Sequence, residues 1–274
     1  MTLGQEALTL SAQDLVQGFT ELGAAPGRIL MAHSSLSSFG WVVGGADTVI
    51  GALLQAVSPG GTVCLPTLSQ RDGERRFETW DIDTSPSDVG RITEVFRLRP
   101  DSIRSDHPTH SVAAIGPHAA HIASGHADAY GRPGPWGHKA FGHGSPWDKF
   151  YQLDVLYCFL GVNFRVNTMR HYIQSRLVED LITASPDPDA AAEDVRGWRK
   201  PGVWPDYEGP LMQESLTRRG LIKSVHIGAA TCYSLSARAM VDNALEILRA
   251  EPTAWFQPEF LEWYERHAQP AGRE

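Results

Sequence analysis

Short apolar runs alternate with a helical pattern in the first quarter of the chain. Residues 28–32 (RILMA) form an apolar run of strand length, and residues 62–65 form another. Between them, residues 46–57 place apolar side chains at helical spacing, and residues 59–61 (PGG) predict a turn where this helix ends. A strand, a helix and a strand in this order predict two parallel strands joined by a right-handed crossover.

The same patterns continue to the end of the sequence. They predict further strands at 111–115, 155–162 and 224–229, and helices at 11–23, 89–99, 168–174, 236–250 and 258–267. The whole predicts an α/β fold in a single domain over residues 1–274, with a central, largely parallel sheet flanked by helices. Residues 69–88 and 184–210 are polar and rich in turn formers, which predicts two irregular insertions, the second of them an excursion or a lid.

Composition and charge narrow the class of protein. Apolar residues make up 42% of the chain and charged residues 20%, as in an ordinary globular enzyme. A net charge of −8 argues against binding to a phosphate backbone, so no nucleic-acid partner is expected. The opening MTLGQEALTL has no basic or long apolar stretch, and the three cysteines lie in separate apolar runs as buried thiols would. These features predict a cytoplasmic protein with no membrane partner.

Three polar segments are each predicted to lie just past the carboxyl end of a strand, which is the edge where open α/β sheets bind ligands. Residues 33–40 (HSSLSSFG) offer hydroxyls and backbone amides, which hold a phosphate or a carbonyl oxygen, or simply cap the next helix. Residues 104–111 (RSDHPTHS) set a guanidinium beside hydroxyls. This second arrangement suits an anionic ligand, and equally suits a turn at Pro108 with a surface arginine.

A third polar segment has the residues for acid–base chemistry. Thr168, His171 and Gln174 recur every three residues, which places them on one helix face at about 5 Å per step. A neutral imidazole, with an ordinary pKa of about 6.5, can accept a proton from an amine near pH 7. The competing interpretation is a solvated polar helix face.

Seven histidines crowd the stretch between residues 107 and 143 and raise the question of a metal. The sequence has no H-E-x-x-H and no C-x-x-C to go with them, so no metal site is expected. The G-x-S-x-G, P-loop and G-x-G-x-x-G motifs are also missing from the sequence, which argues against hydrolase, NTPase and dinucleotide-binding functions.

Taken in order, several long segments resemble the aminoglycoside 3-N-acetyltransferase family, also called the antibiotic N-acetyltransferase fold. The resemblance runs nearly from end to end. The segments that carry it are HSSLSSFGWVVGGADTVIGALLQAV at 33–57, GGTVCLPT at 60–67, TSPSDVGRITEVFRLRPDSIRSDHPTHSVAAIG at 84–116, GHGSPWDKFYQLDVLYCFLGV at 142–162, NTMRHYIQ at 167–174 and HIGAATCYSLSARAMVDNALEILRAEP at 226–252.

This resemblance implies acetyl-CoA as the donor and a small-molecule amine as the acceptor, with direct transfer and no acyl-enzyme. The fold would differ from that of the common acetyltransferase superfamily. His171 would be the general base, Thr168 would lie near the thioester carbonyl, and Gln174 would orient the base. The resemblance assigns to the acetyl-CoA site His33, Ser34, Ser35, Thr67, Arg104 and Ser105. A homodimer remains open.

One departure from the family pattern bears on the chemistry. The family helix reads T-x-L-H-x-x-E, whereas this chain has Arg170 in place of the apolar residue and Gln174 in place of the glutamate. A glutamine can orient the imidazole without stabilising its cation. Three hypotheses stay open: an aminoglycoside acetyltransferase of the antibiotic-resistance type, a biosynthetic enzyme acting on a different amine, and a CoA-binding relative with impaired catalysis.

Overall fold

The computed structural model describes residues 9–69, 75–195 and 204–267. Parts of both predicted insertions, at 70–74 and 196–203, lie outside the described residues. The described strands are β1 (Thr9–Leu10), β2 (Ile29–Ser34), β3 (Trp41–Val42), β4 (Thr62–Pro66), β5 (Ile103–Arg104), β6 (Val112–Ile115), β7 (Leu156–Leu160), β8 (Lys223–Ile227) and β9 (Ala230–Ser236).

Seven of these strands form one sheet in the order β5-β6-β4-β2-β7-β9-β8, while β1 and β3 pair separately. At the centre, β2 runs parallel to both β4 and β7. The outer pairings, β4 with β6, β6 with β5, β7 with β9 and β9 with β8, are antiparallel. The parallel pair predicted from residues 28–32 and 62–65 is therefore confirmed, and the sheet as a whole is mixed.

Helices cover both faces of this sheet. They are α1 (Ala12–Leu22), α2 (Gly45–Val57), α3 (Arg76–Thr79), α4 (Arg91–Arg97), α5 (Ala119–Ala123), α6 (Pro146–Gln152), α7 (Met169–Ala184), α8 (Pro188–Val195), α9 (Gly209–Arg218), α10 (Ala237–Ala250), α11 (Pro252–Trp255) and α12 (Pro258–His267). None of the helices in the described ranges combines the length and the apolar character needed to cross a bilayer.

The two-residue period of the strands divides the core into two layers. On β2, Leu30 and Ala32 pack into the cluster formed with α1 and α2, whereas Met31 packs into the cluster formed with α7 and α10. On β7, Cys158 faces the first cluster and Tyr157 faces the second. Both faces of the central strands are buried, which is why these strands read as unbroken apolar runs in the sequence.

Local sequence signals begin and end the flanking helices. Ser11 and Asp14 form a reciprocal capping box at the start of α1, and Gly23 ends this helix with a positive φ of 116°. Ser236 caps α10 by accepting a hydrogen bond from the amide of Ala239 at 2.9 Å. Both helices lie close to the boundaries that their caps predict.

The described part of the second insertion is partly regular. Residues 188–195 form α8, whose Ala191 and Val195 are buried in the larger core cluster. Trp204 and Tyr207 are also buried there. Residues 204–208, near the end of this insertion, thereby pack against α7.

Candidate active site

The parallel strands β2 and β7 end beside each other, and two adjoining cavities open at this edge of the sheet. The inner cavity has a volume of about 480 Å³ and is lined by His33, Thr168 and His171, among others. The outer cavity has a volume of about 920 Å³ and extends past Trp41. The two share four wall residues, Ser34, Val89, Val162 and Val166, so they adjoin, and together they are called the groove.

A hydrogen-bonded pair at the ends of β2 and β7 fixes the start of α7. Tyr157 Oη accepts a hydrogen bond from the Met169 amide at 3.3 Å and donates to His33 Nε2 at 2.8 Å. Burial lowers the pKa of His33 to about 3 and raises the pKa of Tyr157, so this pair is neutral at pH 7. The Thr168 amide also lies 3.5 Å from His33 Nε2. Thr168 and His171 are therefore held at the groove by two strands.

His171 is neutral, and its contact with Gln174 indicates which ring nitrogen carries the proton. His171 Nδ1 lies 2.9 Å from Gln174 Oε1, one helical turn further along α7. An amide oxygen only accepts hydrogen bonds, so Nδ1 carries the proton and Nε2 has a free lone pair. Burial, followed by the charge of Arg170, lowers the pKa of His171 to about 3, while the Gln174 contact opposes this shift.

Aromatic side chains surround the imidazole of His171. Trp136 lies with its ring centroid 3.9 Å away, and the rings of Phe141 and His110 lie at 5.7 and 5.8 Å. Trp136 and Phe141 come from the segment between β6 and α6, where the sequence patterns predict no element. These rings restrict the orientation of His171 and limit the access of water to it.

Hydroxyls and glycines line the outer cavity. Ser34 and Ser35 follow one another at the end of β2, and the buried Ser34 hydroxyl has no hydrogen-bond partner among the described residues. Gly44 and Gly45, at the start of α2, have positive φ angles of 78° and 63°. Gly44 offers no side-chain oxygen to the first amides of α2, and Arg91 also lines the cavity. A helix start and a guanidinium on one cavity suit a phosphate.

The other three predicted acetyl-CoA residues lie behind the groove wall and line neither cavity. Arg104 donates to the Thr67 carbonyl oxygen at 2.6 Å and to the Ile82 carbonyl oxygen at 3.1 Å. Ser105 Oγ lies 2.9 Å from His126 Nδ1 and accepts a hydrogen bond from the Val112 amide. Contact of Thr67, Arg104 and Ser105 with acetyl-CoA stays a prediction. What these side chains do in the structure is connect the ends of β4, β5 and β6.

The crowded histidines form a packed group beside the groove. The rings of His107 and His126 stack at 4.6 Å, and burial lowers the pKa of His107 to about 4. His107 Nδ1 accepts hydrogen bonds from the backbone amides of Thr109 and His110, both at 3.2 Å. Within residues 9–69, 75–195 and 204–267, no three His, Cys, Asp or Glu side chains are arranged to hold a metal ion.

The sequence model of the aminoglycoside 3-N-acetyltransferase family matches residues 31–249, a span that includes every residue lining the two cavities. The chain belongs to the aminoglycoside 3-N-acetyltransferase family. It is therefore an acetyltransferase, as the resemblance in its sequence implies.

Named relatives agree with this assignment over most of their length. Aminoglycoside N(3)-acetyltransferase IX of Micromonospora chalcea is 30% identical over 263 residues, which cover 84% of this acetyltransferase and 90% of the relative. The crystal structure of the apoenzyme of aminoglycoside acetyltransferase AAC(3)-IVa superposes with a TM-score of 0.72 at 25% identity, covering 94% and 96% of the two chains.

A solved structure of AAC-IIIb as a binary complex with CoASH shares the fold. Its TM-score is 0.68 at 21% identity, and the match covers 91% of this acetyltransferase and 99% of that chain. The α/β fold predicted from the sequence is thus confirmed by solved structures of the family.

Two residues of the acetyltransferase that sequence patterns do not indicate lie behind Gln174. Trp204 Nε1 donates to Gln174 Oε1 at 3.1 Å, and Gln174 Nε2 donates to Asp206 Oδ1 at 2.9 Å. Both residues are about thirty positions further along the chain, within the second insertion (184–210). No motif or spacing in that insertion singles out either residue.

Proposed function

We propose that this acetyltransferase moves the acetyl group of acetyl-CoA directly to an amino group of a small molecule, with His171 as the general base. The family default for the acceptor is the 3-amino group of an aminoglycoside. One observation carries the proposal: His171 lines the inner cavity as the Nδ1–H tautomer, so that Nε2 is available as a proton acceptor.

The groove fits acetyl-CoA in shape and in chemistry. It continues from His171 through the shared wall to the start of α2, as a long donor requires. Within the described part of the chain the buried Ser34 hydroxyl has no partner, and the residue lines both cavities, where a pantetheine amide could satisfy it. Gly45 and Arg91 lie on the outer cavity and suit the phosphates. The CoASH complex of AAC-IIIb supports the same donor here.

Bound acetyl-CoA supplies the acetyl group as a thioester, which an amine can attack. His171 Nε2 accepts the proton that the amine loses as its bond to the carbonyl carbon forms. The Thr168 hydroxyl lies in the same cavity one turn earlier and can donate to the carbonyl oxygen as negative charge builds there. His171 then gives the proton to the departing sulfur and returns to its neutral form.

A second acceptor class is favoured by the charges of the inner cavity. Among the described residues that line it, the charged side chains are Asp88, Arg165 and Arg170. Two guanidinium groups against one carboxylate repel a polycationic aminoglycoside and attract an amine that also carries a carboxylate or a phosphonate. We therefore propose such an amine as the alternative acceptor, with the same donor and the same base.

The test of this function is thiol release from acetyl-CoA with two panels of acceptors. One panel holds 2-deoxystreptamine aminoglycosides, and the other holds amines that bear a carboxylate or a phosphonate. The variant His171→Ala should lower kcat by about 10²- to 10⁴-fold with the better acceptor, because the general base is lost. The matched control is His226→Ala, an exposed histidine on the edge strand β8, which should keep full activity.

Each outcome separates the candidates. Fast thiol release with an aminoglycoside supports the resistance-type enzyme, provided that mass spectrometry and NMR locate the new acetyl group on the 3-amino group. Release confined to the second panel supports a biosynthetic acceptor. Undiminished turnover by His171→Ala would exclude His171 as the base and overturn the mechanism.

A further inference from the structure

We propose that Asp206 is a positioning residue that acts on His171 through the side-chain amide of Gln174. The inference rests on the proposed role of His171 as the base. Three groups lie in series, since His171 Nδ1 contacts Gln174 Oε1 at 2.9 Å and Gln174 Nε2 contacts Asp206 Oδ1 at 2.9 Å. The carboxylate that the family pattern places next to the base is thereby moved one amide further away.

The orientation of the Gln174 amide follows from its four partners. Its Nε2 faces the Pro205 carbonyl oxygen at 3.1 Å and the Asp206 carboxylate, and both of these only accept hydrogen bonds. Its Oε1 faces the Trp204 indole N–H at 3.1 Å, which only donates. A flipped amide would make unfavourable contacts on both sides. Gln174 is fully buried, so water does not substitute for these partners.

The series has a consequence for the proton that His171 accepts. When Nε2 takes up a proton, positive charge spreads to Nδ1–H and strengthens its hydrogen bond to the Gln174 oxygen. A negative charge on Asp206 polarises the amide from the far side and makes that oxygen a better acceptor. Asp206 thus stabilises the protonated base without contacting it.

Other charged or titratable groups also surround His171. They are Arg170 on the same helix, His110 before β6, His33 at the end of β2, and Asp88 and Arg165 on the wall of the inner cavity. Arg170 opposes protonation of His171. Asp206 is the carboxylate that connects to the imidazole through a continuous set of hydrogen bonds in the part of the chain that the structure describes.

Charge and hydrogen bonding are separated by two substitutions. Asp206→Asn keeps an oxygen that accepts from Gln174 and removes the negative charge, whereas Asp206→Ala removes both. If Asp206 acts through its charge, both variants should lower kcat by about fivefold with an unchanged KM for acetyl-CoA. The matched control is Asp189→Asn on the exposed side of α8, which makes the same charge change and should keep wild-type kinetics.

A second readout does not depend on turnover. In ¹⁵N-histidine NMR, wild-type His171 should show the Nδ1–H tautomer, and Asp206→Asn should shift its resonances and lower its pKa. In a Gln174→Glu background the amide is gone, so Asp206→Asn should no longer lower kcat. A loss caused only by misfolding would instead appear in the thermal melt and persist in that background.

Two results would overturn the inference. The first is wild-type kcat in Asp206→Asn while His171→Ala is inactive, which would remove the role of Asp206 and leave the base in place. The second is an unchanged His171 spectrum in Asp206→Asn. If His171→Ala stays active, the proposed base itself fails, and the NMR experiment still decides whether the two residues are coupled.

Discussion

At the scale of single residues, Ser34 combines two properties that rarely occur together. Its hydroxyl is buried and finds no hydrogen-bond partner in the ranges that the structure describes, yet the residue lies on the wall shared by both cavities. A buried, unpaired hydroxyl costs roughly 1–3 kcal/mol in a structure that has no use for it. A ligand that supplies the partner gives a reason for keeping this residue.

Replacing Ser34 with alanine should therefore separate stability from binding. We expect the free energy of unfolding to stay equal or to increase, and the KM for acetyl-CoA to rise about fivefold, equivalent to one hydrogen bond. Urea unfolding and thiol-release kinetics measure the two quantities. Ser224→Ala, at an exposed position on β8, serves as the control. An unchanged KM would show that the donor does not use this hydroxyl.

Sequence patterns predict the positions of some site side chains and not of others. Thr168, His171 and Gln174 are found together as their three-residue spacing predicts, because neighbours on one helix need no tertiary information. Arg104 is different: its segment is near the groove, but its side chain turns to the Thr67 and Ile82 carbonyl oxygens. A strand end locates the rim of a site, whereas the direction of each side chain there depends on partners distant in sequence.

At the scale of secondary-structure elements, the pair Tyr157 and His33 connects β7, β2 and α7. The Tyr157 hydroxyl is the shared atom, since it contacts both His33 Nε2 and the Met169 amide. The same contacts hold the first turn of α7, which carries Thr168 and His171. The position of the base thus depends on a bond between two neighbouring parallel strands.

Tyr157→Phe should weaken that connection without making a cavity. Loss of the hydroxyl leaves a buried histidine nitrogen with a weaker partner, so the free energy of unfolding should fall by about 1–2 kcal/mol. We also expect a lower kcat, because the first turn of α7 loses its hydrogen bond to the Tyr157 hydroxyl and holds His171 less rigidly. Denaturant unfolding and steady-state kinetics give both values, with the exposed Tyr130→Phe as the control. Wild-type kcat in Tyr157→Phe would contradict the link between the strand pair and the base.

The central strands were predictable from the sequence, whereas β9 and the shortest helices were not. Buried parallel strands such as β2, β4 and β7 can be recognised in the sequence as short apolar runs. Strand β9 (ATCYSLS) mixes hydroxyl and apolar residues and follows β8 directly, so its pattern does not stand out from the sequence. The short helices α5 and α6 have only five and seven residues, too few for a helical period to show.

At the scale of the whole molecule, several histidines are buried in neutral form around the groove. His33, His107 and His126 are 6%, 5% and 1% exposed. Burial lowers the pKa of His33 to about 3 and of His107 to about 4, and it lowers that of His126 well below its usual range. In the unfolded chain these side chains take up protons near pH 6.5, so acid favours the unfolded state.

The folded state should therefore lose stability as the pH falls below 6.5. Each such histidine removes about 1.4 kcal/mol per pH unit until its own folded-state pKa is reached. The midpoint of urea unfolding, measured at several values between about pH 7.5 and 5, tests this expectation, because most carboxylates are still ionised in that range. His33→Gln should flatten the dependence, and the exposed His226→Gln should leave it unchanged. A midpoint independent of pH would contradict the expectation.

The cysteines of the central strands carry a practical consequence. Cys64, Cys158 and Cys232 are free and fully buried, and burial raises the pKa of each thiol, that of Cys232 to about 11. Thiolates are the form that oxidants and disulfide reagents attack. The thiols of the native enzyme should thus resist oxidation by air and peroxide without a reductant. A colorimetric thiol reagent added during turnover should therefore react with the released coenzyme A and not with the cysteines of the enzyme.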